Sequence, residues 1–96
     1  DGFEGMEGNG PNNGTPVDHR VCVASTDWLA ADRVGIELMG IDYTTVAWLN
    51  YCAQAGRGTA DLNNIEIIGE KISDHIKHYK LSDNIDKQLI LKNPAV

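Results

Sequence analysis

The stretch Arg20–Gly40, RVCVASTDWLAADRVGIELMG, decides the fold. It reads as a buried strand running straight into an amphipathic helix. Val21, Cys22, Val23 and Ala24 are consecutive small or branched apolar residues. Such a run suits a strand covered on both faces, as in a mostly parallel sheet. The β-branched content and the polar stop at Ser25-Thr26-Asp27 favour a strand, over 20–25, rather than a buried helix. A helix over 27–39 starts at that stop. Asp27 is its N-cap candidate, because a carboxylate there accepts from free amides and faces the positive helix end. Ala30, Val34, Leu38 and Ile41 recur at helical spacing, and Trp28, Ala31, Gly35 and Met39 widen the stripe. Arg33 and Glu37 fall four apart on the opposite face, as a solvated ion pair. Gly40 suits the left-handed position that ends a helix.

Towards the C-terminus, Asp42 can cap a second helix over 43–55, closed by Gly56. Val46, Leu49 and Ala53 form one stripe on it, beside Thr45, Trp48 and Cys52. NIEIIG, 64–69, reads as a second strand bounded by polar and turn residues. Ile72, Ile76 and Tyr79 suggest a weaker third helix over 72–81. Ser82 to Lys92 reads as a last helical turn followed by a short strand. Towards the N-terminus, DGFEGMEGNGPNNGTPVD, 1–18, is a glycine-rich loop by composition. Its glycines would allow close backbone approach to a ligand, or serve only a long surface loop. It is no nucleotide fingerprint, because a phosphate loop follows a strand and opens a helix.

Ninety-six residues make one small domain or part of one. Apolar residues are 42% and charged residues 23%, so a packed core is attainable. A net charge of −6 argues against nucleic acid, which calls for a basic surface. No apolar run reaches the ~18 residues of a membrane span, so no membrane partner is expected. Cys22 and Cys52 are not in a CxxC pair and read as buried thiols. The chain opens within the glycine-rich stretch and without Met. It is therefore expected to be a portion of a larger domain, with the missing N-terminal part of the same protein as partner.

The ordered motifs resemble one family. They are Asp1-Gly2, Glu7-Gly8-Asn9-Gly10-Pro11, Gly14, Ser25, Asp27, Ala31-Asp32, Gly40-Ile41-Asp42, Gly56, Gly58 and Ile65 to Gly69. The pattern is similar to domain-of-unknown-function family three-six-two, over about three quarters of the chain, and to the C-terminal part of that domain. Some members are iron–sulfur proteins, with the cluster cysteines in a separate ferredoxin-like segment. That segment is absent here, so no iron–sulfur cluster is expected in this chain and the cofactor is left open. Trp28 stands where members often carry proline.

The candidate ligand-binding residues are Glu7, Asn9, Gly10, Ser25, Asp27 and Asp32. Asp32 lies at the edge of the apolar stripe, where a carboxylate is costly to bury unless bonded or paired. It serves either a ligand or the glycine loop's own amides. Asp27 is explained by capping alone. It also lies at the C-terminal end of a strand, where open α/β sheets place ligands. With Glu4, Glu7 and Asn9 facing them, these carboxylates would make an oxygen-rich site for Mg²⁺ or Ca²⁺. His75 and His78 lack a third metal ligand, and Ser25 lacks a nucleophile elbow. The expected fold is α/β, a small mostly parallel or mixed sheet with packed helices. Three functions follow: binding of a small anionic molecule or divalent cation at the glycine loop and strand–helix corner, a redox accessory module, or a structural and interaction domain.

Overall fold

The computed structural model describes residues 1–90. The glycine-rich segment expected as a loop is the sheet itself. Strand β1, Gly2–Asn9, pairs antiparallel with β2, Asn13–Val21, through a turn at Gly10, Pro11 and Asn12. This is the only sheet among the described residues. The fold is therefore mixed α and β, and the mostly parallel option is corrected. The strand expected over 20–25 survives only as the end of β2. Cys22–Ser25 lie outside any strand, because among the described residues no neighbouring strand meets them.

The register slips between Gly2 and Glu4. Gly2 faces Val21 and Glu4 faces Asp18, so His19 and Arg20 together oppose Phe3. This is a bulge, and Arg20 takes the left-handed conformation it needs, φ 58°. The bulge turns the two side chains to opposite destinations. His19 is buried, whereas the Arg20 guanidinium lies over the Phe3 ring at 5.5 Å.

Helix α1, Trp28–Leu38, forms where its periodicity predicts, with Asp27 as N-cap. Its buried face is Leu29, Ala30, Val34 and Leu38. Gly40, φ 66°, follows its end. A Cβ there would also lie 2.4 Å from His78 Nδ1, so close packing as well as backbone conformation requires glycine. The Arg33–Glu37 pair forms at 2.9 Å, but the Arg33 side chain is largely buried and lies over the Tyr43 ring at 4.7 Å. Its Nε has no hydrogen-bond partner among the described residues.

The second helix is shorter than the expected 43–55. A 3₁₀ turn, Tyr43–Thr45, is capped by Asp42, and helix α2, Ala47–Gln54, follows. Asn50 joins the two, since its Nδ2 donates to Tyr43 O and Val46 O at 3.0 and 2.9 Å. Leu29 and Leu49, both wholly enclosed, mark the core of α1 and α2.

The strand expected over 64–69 is not formed. A 3₁₀ turn, Leu62–Asn64, leads into Ile65, extended at φ −108°, ψ 120°, and an irregular stretch with no ladder partner among the described residues. The helix expected over 72–81 is a single 3₁₀ turn, Ile72–Asp74, followed by irregular chain. That chain runs between the hairpin and the end of α1. Lys77 N donates to Leu38 O and Tyr79 N to Met39 O, both at 2.9 Å. Helix α3 is Ile85–Leu89. The short strand expected beyond it, to Lys92, lies outside the described residues.

Candidate functional site

The six candidate residues do not converge. Glu7 and Asn9 tie β1 to the chain beside α3. Glu7 Oε2 accepts from Lys80 N at 2.8 Å, and Gly8 N donates to Lys80 O at 2.8 Å. Asn9 exchanges two bonds with Asp83: its Nδ2 donates to the carboxylate at 2.7 Å and its Oδ1 accepts from Asp83 N at 2.8 Å. Gly10 opens the hairpin turn, and a Cβ there would lie 2.7 Å from Met6 Sδ.

Ser25 and Asp27 form the strand–helix corner. Ser25 Oγ accepts from Asp27 N at 3.0 Å. Asp27 Oδ1 accepts from Ala30 N at 3.0 Å, and Oδ2 from Thr59 N at 2.8 Å. One carboxylate therefore caps α1 and anchors the Gly58–Thr59 turn. The Ala30 amide first and the Thr59 amide second hold the Asp27 carboxyl below its usual range. Gly58 permits this approach, since a Cβ there would sit 2.5 Å from Asp27 Oδ1 and 2.7 Å from Leu29 Cβ. Asp32 is exposed on α1 rather than buried at its edge. The oxygen-rich cation site is thus not assembled. Among the described residues, no three His, Cys, Asp or Glu side chains lie close enough to hold a metal ion.

Two openings flank α1. The smaller, about 290 Å³, lies between the hairpin and the helix and is lined by Gly5, His19, Asp32, Gly35 and Tyr79 among others. His19 is its best-defined polar group. Nε2 lies 2.6 Å from His75 O, so it donates, and Nδ1 lies 2.8 Å from the Tyr79 hydroxyl. In the neutral ring Nδ1 accepts the Tyr79 proton. Burial raises the Tyr79 phenol above its usual range, and the Glu7 charge adds to this. The position of a Cβ on Gly5 is 2.1 Å from the Tyr79 hydroxyl, so only glycine admits the ring. Sequence reasoning missed this pair because the bulge, which has no simple sequence signal, turns His19 inward.

The larger opening is a groove of about 450 Å³. One wall is Arg20–Ser25, the other Ile65–Lys71, and the floor is Ala30, Ala31, Val34 and Leu38 of α1. Among the described residues, 22–25 and 66–69 make no backbone–backbone hydrogen bond. Ile67 and Ile68 are 42% and 86% exposed. Of the six candidates, Ser25 lines the groove, Asp32 lines the smaller cleft, and the other four line neither.

The architecture is mixed α/β, with an antiparallel hairpin and a cleft on one side of α1 and a groove on another. A family profile described as domain of unknown function (DUF362) matches residues 1–37, the hairpin and nearly all of α1. It is the family the motif order resembles, over a shorter span than the motifs suggested. No curated protein and no solved structure matches the chain. Among the described residues, no helix is long and apolar enough to cross a membrane.

Proposed function

We propose that this chain is a structural and docking portion of a larger α/β domain, whose groove over α1 receives another part of the same protein. The observation that carries this reading is a groove over the apolar face of α1, walled by 21–25 and 65–69, where among the described residues 22–25 and 66–69 make no backbone–backbone hydrogen bond. The candidate polar residues support the same reading from the other side: Glu7, Asn9, Ser25 and Asp27 each bond within the chain.

Cys22 tests it, because this exposed thiol lines the groove. In the full-length protein with Cys52→Ser, maleimide labelling of Cys22 should be at least ~10-fold slower than in the urea-unfolded chain, as expected of a covered thiol. Equal rates would show an open groove and remove the docking role.

A small-ligand reading has one observation in its favour: Asp32 shares a cleft with His19 and Tyr79. Its test is a thermal-shift screen of small polar molecules, with Asp32→Asn as control. A ligand whose shift disappears in that variant supports it, and a screen without hits retires it.

A further inference from the structure

We propose that residues 75–83 form a latch, which opens as one unit and releases the hairpin from the end of α1 while the α1–α2 core stays folded. The latch is independent of what fills the groove.

The segment is bonded on two sides. Towards α1, Lys77 N donates to Leu38 O and Tyr79 N to Met39 O, both at 2.9 Å. Towards the hairpin, Lys80 N donates to Glu7 Oε2 and Lys80 O accepts from Gly8 N, both at 2.8 Å. His75 O accepts from His19 Nε2, Lys77 Nζ donates to Asp18 O, and Asp83 exchanges two bonds with Asn9. Tyr79 and Lys80 are consecutive, so the bonds to α1 and to β1 are held by neighbouring residues and loosen together. Tyr79 couples the two sides by itself, because its amide bonds Met39 O and its hydroxyl bonds His19 Nδ1.

Hydrogen bonds hold this segment more than burial does. Every residue from 75 to 83 is exposed or half-buried, whereas Leu29 and Leu49 in the α1–α2 core are wholly enclosed. A bond within reach of water is exchanged for one to water at little net cost. Chain with exposed backbone bonds and little apolar burial opens more readily than a packed core. The hairpin and α1 do not close fully on each other, since a cleft of about 290 Å³ lies between them. A two-stranded hairpin is marginally stable alone, and the segment supplies its anchors to the end of α1. Tyr79 belongs to the segment and lines the cleft. Release therefore widens the cleft and uncovers His19.

Native-state amide hydrogen exchange of the 96-residue protein, repeated in urea below the unfolding midpoint, tests this. The amides of Lys77, Tyr79 and Lys80 should share one protection factor, at least ~10-fold below that of Val34 and Leu38 in α1. Their protection should also fall less steeply with urea, because opening the latch exposes less surface than unfolding the chain. Asn9→Ala removes both bonds to Asp83 and should lower the protection of Lys77, Tyr79 and Lys80 together, on the order of tenfold. Tyr79→Phe breaks the bond to His19 instead and should act on the same three amides together. Unchanged protection of those three in Asn9→Ala would mean that the ends of the segment fluctuate separately. Protection equal to that of Val34 and Leu38, with the same urea slope, would mean that the segment opens only when the whole chain unfolds. Either result overturns the inference.

Discussion

Leu29 and Leu38 lie on the same buried face of α1, yet truncating them should not cost the same. Each Leu→Ala change removes about three methylene equivalents, worth roughly 2.4 kcal/mol at ~0.8 kcal/mol each. What differs is the cavity left behind. Leu29 is 0% exposed and sits in the α1–α2 core. Leu38, at 6%, lines both the groove and the cleft. The hole behind Leu29 stays closed, so the cavity term applies and the total approaches the upper part of the ~2.7–5 kcal/mol range for such changes. The hole behind Leu38 opens into existing space, which leaves about the transfer term alone, ~2–2.5 kcal/mol. In urea melts of the 96-residue protein, with a slope of ~1–3 kcal/mol/M, Leu29→Ala should therefore lower the midpoint clearly further than Leu38→Ala. An equal or larger loss for Leu38→Ala would refute the reasoning, because it would mean the groove side of α1 is already closed.

Four further substitutions have definite outcomes. Gly58→Ala places a Cβ 2.5 Å from Asp27 Oδ1 and should cost ~1–3 kcal/mol. Gly35→Ala meets nothing within 4 Å on a helix interior and should stabilise by ~0.5–1 kcal/mol; paired thermal melts check both signs. The Asp27 carboxyl is held below its unfolded range by the Ala30 and Thr59 amides. In acid the unfolded chain therefore binds the proton more readily. This contribution is present above the ordinary carboxyl pKa of ~3.9 and is lost as pH falls through the lower native value. Urea midpoints should thus fall in acid less steeply for Asp27→Asn than for the parent. Tyr79→Phe leaves His19 Nδ1 buried without its partner and should cost ~1–3 kcal/mol. The raised Tyr79 phenol supports the fold below the unfolded value of ~10 and ceases to as pH climbs through the native one. Tyr79→Phe should therefore flatten part of the alkaline decline in stability.

The sequence made α1 legible because a helix declares itself locally: apolar spacing from Ala30 to Leu38, a cap at Asp27 and a glycine at 40 all agree. Capping by Asp42 was legible for the same reason. The hairpin was hidden because glycines at 2, 5, 8 and 14 oppose strand propensity. What stabilises β1 lies far along the chain, in the bonds of Glu7 to Lys80 and Asn9 to Asp83. The runs CVA, 22–24, and NIEIIG carry strand composition, yet a strand needs a partner, and none of the described residues supplies one. Polar residue types were legible in the sequence, with Ser25, Asp27 and Asp32 at or on α1 and Glu7 and Asn9 bonded to Lys80 and Asp83 instead. Their convergence was not, since convergence depends on where the hairpin packs, and it packs with His19 and Tyr79 against the later turns of α1 rather than over Asp27.

An experimentally determined structure of the full-length protein, inspected between Val21–Ser25 and Ile65–Gly69, tests the central claim most directly. A further segment of the protein, covering the apolar face of α1, is expected there. Water alone in the groove would contradict it.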